Sequence, residues 1–166
     1  MSLSILLICN AEVQPAVRDL SLFLWDVTMI HDRLFMFWQN PTDPILYSPD
    51  FYRRWRRLPA GLELRLGKLS RQSPVEIELI VATAGGFFLV AKTFVEILRM
   101  IRDWQYEQEK QRLEILQTRI EILEKIEVLR KASPELLILL DRDIHRLLGN
   151  RIKIVKVEER ELREDW

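Results

Sequence analysis

From Ala84 to Lys131 the chain has no proline, and its only glycines there, Gly85 and Gly86, stand at the very start. Nothing else in the sequence limits the fold so strongly. Phe94, Ile97, Ile101 and Trp104 recur at helical spacing. Leu113, Leu116, Ile120 and Leu123 do so again further on, widened by Ile115, Ile122, Ile126 and Leu129. Between the two stripes, residues 105–112 are nearly all polar, yet they are good helix formers with no breaker among them. The local sequence therefore favours one helix over 84–131, about 70 Å long at 1.5 Å per residue. Its polar middle would bridge solvent between two packed ends.

The rest of the chain supplies a sheet and its cover. Leu3–Cys9 is a continuous apolar run, as in a strand buried on both faces. Leu62–Leu66 and Val75–Leu79 alternate strictly, and Arg71-Gln-Ser-Pro74 between them has turn chemistry. This predicts a hairpin of strands near 62–69 and 75–82, with Gly67 at a bulge. Val17, Leu20, Leu24, Val27, His31, Leu34 and Trp38 form the stripe of a helix over 15–39. Residues 41–61 form a proline-rich connection in which Phe51, Trp55 and Leu58 have the spacing of a short helix. Ser133-Pro134 opens a further helix over 134–148, closed at Gly149-Asn150. Residues 151–157 read as a last strand, followed by an acidic tail. The expected fold class is α+β.

The order β-α-β-β-α-α-β invites a ferredoxin-like arrangement, in which the last strand returns beside the first. Distance opposes it. A helix over 134–148 brings the chain back only about 22 Å. After an unbroken 84–131 helix, the last strand must pair in trans. If that helix breaks, the strand can join the first sheet. The favoured division is a head module (1–103) and a helical extension (104–166) with an antiparallel helix pair. Two helices bury little by themselves, so Leu113, Leu116, Ile120, Leu123, Leu137, Leu140 and Ile144 are the expected interface of a homo-oligomer. Ile152, Ile154, Val155 and Val157 are the expected strand-docking residues, suited to β-augmentation of a partner sheet.

The charge arithmetic separates the function classes. The chain has 25 Lys+Arg and 25 Asp+Glu, so its formal net charge is zero. That zero hides polarity: Arg53, Arg54, Arg56, Arg57, Arg65, Lys68 and Arg71 face Glu63 alone, whereas the C-terminal end is acidic. Arg53, Arg54, Trp55, Arg56 and Arg57 are the candidate anion- or partner-binding set, suited to a protein partner, a nucleic-acid backbone or an anionic membrane. One Cys and two His leave little for a disulfide framework or a metal site. His31 on an apolar stripe and Asp141/His145 at i, i+4 read as structural residues. His31 and Asp32 point about 100° apart on a helix. Thr83-Ala-Gly-Gly-Phe87 lacks a phosphate-loop pattern and reads as close helix packing. No nucleophile–base–orienter set is visible.

The expectation is a non-enzymatic, cytoplasmic, oligomerising scaffold or adaptor, with no metal or cofactor. A membrane-associated regulator using the apolar 79–101 segment, and a nucleic-acid-binding subunit using Arg53–Arg57, are the alternatives.

Overall fold

The first strand, β1 (Ser2–Asn10), lies at the middle of the molecule because both of its edges are paired. The computed structural model describes residues 2–11, 14–43, 58–59, 61–72, 74–107 and 114–162, with 106–107 and 114–118 as backbone only. Four strands form one antiparallel sheet in the order β2-β3-β1-β4, where β2 is Arg65–Ser70, β3 is Val75–Ala82 and β4 is Lys153–Leu162. The last strand thus returns beside the first, as in a ferredoxin-like sheet. The fold is α+β.

Register explains the two faces. Leu3, Ile5, Leu7 and Cys9 of β1 sit opposite Val81, Leu79, Ile77 and Val75 of β3, and all eight are buried. Val157 and Ile154 of β4 continue this face opposite Leu7 and Cys9. The other face carries Leu6, Ile8, Glu76 and Glu78, which are half-buried, with Lys156 and Glu158 of β4 in the same rows. On it the Ser4 hydroxyl donates to Glu78 Oε1 at 2.7 Å. The register slips between Leu66 and Lys68, which makes Gly67 the expected bulge. A Cβ there would lie 2.8 Å from Glu78 Oε2. Gly61, at φ 95°, makes the turn ahead of β2, so Leu62 and Leu64 precede the strand instead of opening it.

Among the described residues four α-helices cover the first face. They are α1 (Val17–Gln39), α2 (Phe88–Glu107), α3 (Glu114–Lys125) and α4 (Pro134–Leu148), with a 3-10 turn at Glu127–Leu129. The Ser133 side chain caps α4 by accepting from Leu136 N–H, and Pro134 occupies the first turn. At the other end Gly149 is the cap residue in right-handed geometry, φ −78°. Asn150 does the tying there: its Oδ1 accepts from Ile152 N–H and its Nδ2 donates to Asp19 O of α1. Gly85 and Gly86 have φ of 66° and 87°, so they are conformational requirements of the turn into α2; a Cβ would meet only Phe87 Cδ2 at 4.0 Å from Gly85 and nothing from Gly86. That differs from the close packing expected of small residues.

The projecting 84–131 helix is corrected. The described residues hold two separate helices, α2 and α3, each packed on α4, and β4 pairs along the whole of β1. A straight rod of about 70 Å would place β4 far outside hydrogen-bonding reach of β1. The physical reason is burial. Leu123, Ile126, Val128 and Leu129 lie in the same core cluster as Leu3, Phe23 and Phe94. Helix propensity is a weak preference, and tertiary packing overrides it. Residues from both sides of position 103 build this one core. Tertiary contacts within the chain supply the packing that an isolated helix pair would lack.

Candidate functional site

Two features stand out: a charged seam buried between helices, and the outer edge of β4. The seam arises because α1 carries Asp26 and Arg33 two turns apart on one face, both buried. Arg33 Nε donates to Asp143 Oδ2 of α4 at 2.5 Å, with the two side chains 1% and 0% exposed. Arg146 Nη2 lies 3.5 Å from the other carboxylate oxygen of Asp143. Burial pushes Asp26 up from 3.8 to about 6; Arg146 pulls it down, and the charge of Asp143 pushes it up. A second buried pair joins α3 to α4: Arg119 donates through Nε to Asp141 Oδ1 at 2.8 Å and through Nη2 to Oδ2 at 3.3 Å. Asp141 therefore takes Arg119, and His145 on the next turn is exposed.

His31 is wholly buried. It meets Asp32 through Nδ1 at 2.8 Å, although neighbours on a helix diverge by about 100°. Its ring stacks on Phe35 at 4.2 Å and meets Phe94 edge-on at 5.3 Å, and Nε2 has no hydrogen-bond partner. The His31 ring is sealed from solvent while the Asp32 side chain is 30% exposed, so the imidazole is packed among aromatic rings and only the carboxylate reaches the surface. Cys9 is equally enclosed, and burial pushes its thiol up to about 12. Among the described residues no group of three His, Cys, Asp or Glu side chains could hold a metal ion.

A cleft of about 670 Å³ opens where α1 begins and β4 starts, lined in part by Asn10, Gln14, Asp19, Arg151 and Lys153. Its charges are mixed, and Lys153 Nζ donates to the Leu148 carbonyl at 2.5 Å. Desolvation lowers the pKa of that amine. The cleft offers polar contacts, and among the described residues no paired nucleophile and base lines it.

The residues expected to act separate into three groups. Arg53, Arg54, Trp55, Arg56 and Arg57 lie outside the described residues, as do Leu113 and the side chain of Leu116. Of the connection that holds them, Leu58 is buried in the core. Leu123, Leu137, Leu140 and Ile144 are buried in the chain's own core, and Ile120 packs partly buried against it. Ile152, Ile154 and Val157 are also core residues; of the four strand residues only Val155, 45% exposed, faces out. Val155 is pushed out by the bulge opposite Ile8 and Cys9.

What β4 presents outward is thus its backbone edge and its charges. Glu159, on the helix-facing side, accepts from Lys92 Nζ at 2.6 Å and lies 3.9 Å from Arg99 Nη2, which fastens β4 to α2. Gln105 Oε1 of α2 accepts from Ile154 N–H at 2.8 Å beside the bulge. On the opposite face Lys156 bonds Glu158, and Arg160 Nη2 lies 3.6 Å from Glu158 Oε2. These cations pull the Glu158 pKa below the carboxylate range, led by the Lys156 hydrogen bond.

Sequence periodicity does not reveal the seam. The available signal is Asp26 and Arg33 seven residues apart on one face of a helix rich in apolar residues, with Asp143 on the apolar stripe of α4. The apolar 79–101 segment is accounted for by burial of Val90, Ala91, Phe94, Val95, Ile97, Leu98 and Ile101. Among the described residues no helix is long and apolar enough to cross a membrane. No protein family, curated protein or solved structure matches the chain.

Proposed function

We propose that this protein is a non-enzymatic, oligomerising scaffold or adaptor of the cytoplasm that works through protein–protein contacts along β4. One observation carries the reading. A strand of ten residues ends the sheet order and, among the described residues, is paired on one side only, while its bulge and ion pairs fasten it to the body of the molecule. A rigid sheet edge is a template for another strand, since backbone groups give affinity and flanking side chains give selectivity. Leu123, Leu137, Leu140 and Ile144, four of the helical residues expected at an interface, are used in the chain's own core, which favours the strand edge as the contact. The buried polar pairs act as fasteners between helices, which suits a body that holds an edge in place.

Multi-angle light scattering on the full chain at micromolar concentration tests this. A mass above that of one chain is the expected result. A clean monomer across the range overturns it.

A further inference from the structure

The charges of β4 identify which partner its edge fits. We propose that the edge is occupied by β4 of a second copy, paired antiparallel across a two-fold axis at Val157, so that two four-stranded sheets become one. This rests on the reading that β4 is the contact edge.

Exposed edges are normally guarded by charge. The two edges of this sheet are guarded differently. The described charges of β2 are Arg65 and Lys68, both basic, so two copies of β2 repel. On β4 the signs are segregated. Lys153 and Lys156 lie in the first half; Glu158, Glu159 and Glu161 lie in the second, with Arg160 the exception. Antiparallel pairing of a strand with itself brings its first half against its second, so such a pattern is self-complementary.

Register follows from the same charges. With the axis at Val157, Lys156 of each copy lies opposite Glu158 of the other. Both residues belong to the face away from the helices, opposite Ile8 and Leu6 of β1. Within one copy Lys156 already bonds Glu158, so the four side chains would alternate in sign around the axis. An axis at Glu158 sets Glu158 against itself and Lys156 against Arg160, which like-charge repulsion disfavours. An axis at Glu159 opposes Glu158 to Arg160, but it leaves Lys156 opposite Leu162 and sets Glu159 against itself. The Val157 register alone uses Lys156. An isologous contact of this kind closes on itself as a dimer, so it does not propagate into a fibre. The Lys92–Glu159 pair holds the edge in place before binding, which reduces the ordering cost of association.

The test uses the full-length chain and two variants, Lys156→Glu and Glu158→Lys, each alone and in equimolar mixture, by sedimentation velocity over a micromolar series. Each variant alone meets its own like charge twice across the axis, so its dimer should weaken by about tenfold or more. In the mixture the two acidic side chains of one variant face the two basic side chains of the other. Both contacts become attractive again, so a mixed dimer should form with near wild-type affinity. Restoration on mixing also requires both variants to be folded. Variants that associate like the wild type overturn the β4 contact while leaving a scaffold that uses another surface. Weakening without restoration overturns the Val157 register. A wild type that stays monomeric throughout overturns both this inference and the scaffold reading.

Discussion

Replacing Asp143 by Asn changes one charge and almost no volume, which makes it a stringent test of the seam between α1 and α4. The Asp143 carboxylate is fully buried and receives Arg33 at 2.5 Å, with Arg146 at 3.5 Å on its other oxygen. The amide keeps one acceptor oxygen but no charge, so two guanidinium groups lose the anion they share. Breaking a buried ion pair by removing one partner costs about 3–5 kcal/mol. For a chain of this size each kcal/mol lowers the melting temperature by roughly 2–4 °C, so the loss should be roughly 6–20 °C. Thermal unfolding by circular dichroism, with urea titration at 25 °C, reads it, and the denaturant slope should stay unchanged if only stability moves. The companion variant replaces both partners, Arg33→Met with Asp143→Leu. An apolar pair of similar volume should recover most of the loss, since the attraction in a buried pair roughly offsets the cost of desolvating it. A loss below about 1 kcal/mol for Asp143→Asn, the range of an exposed pair, would refute the argument.

Three further outcomes follow from single groups. Asp26 is raised to about 6 in the folded chain from 3.8, so charging it opposes folding; the penalty is absent below about pH 4 and complete above about pH 6. Asp26→Asn should therefore stabilise the protein by about 1–3 kcal/mol at pH 7 and by nothing at pH 3.5, as read by chemical denaturation at the two pH values. Cys9 is buried with its thiol raised to about 12, so a thiol reagent should label it only after denaturant unfolds the sheet; rapid labelling of the native chain would contradict that. Ser133→Ala removes the cap on Leu136 N–H and should cost about 1 kcal/mol in urea titration, whereas Ser133→Asp should retain most of it.

Sequence signals are legible where local physics decides the outcome. The β2–β3 hairpin, the bulge at Gly67, the Ser133-Pro134 start of α4 and the helix before residue 40 all depend on spacing and on residues close in the chain. The 84–131 region reads as one rod because its residues favour helix. Its division into α2 and α3 is fixed by where Leu123, Ile126 and Leu129 find cover, which is a long-range matter. With that region folded back, β4 lies within reach of β1, which a rod of about 70 Å would forbid. The seam is hidden for a related reason: Arg33 and Asp143 lie 110 positions apart, and no local pattern pairs one with the other. Ile152, Ile154 and Val157 are legible as apolar strand residues, but periodicity alone does not say whether a strand's apolar face serves its own core or a partner's.

The central claim is that β4 is the edge through which the protein meets another chain. Hydrogen–deuterium exchange of the full chain at two concentrations, one below and one above the association midpoint, tests it most directly. The account predicts that amides within 153–162 become slower to exchange at the higher concentration while those of 65–70 on the opposite edge do not change. Association without any added protection in 153–162, or with protection confined to 65–70, would contradict it.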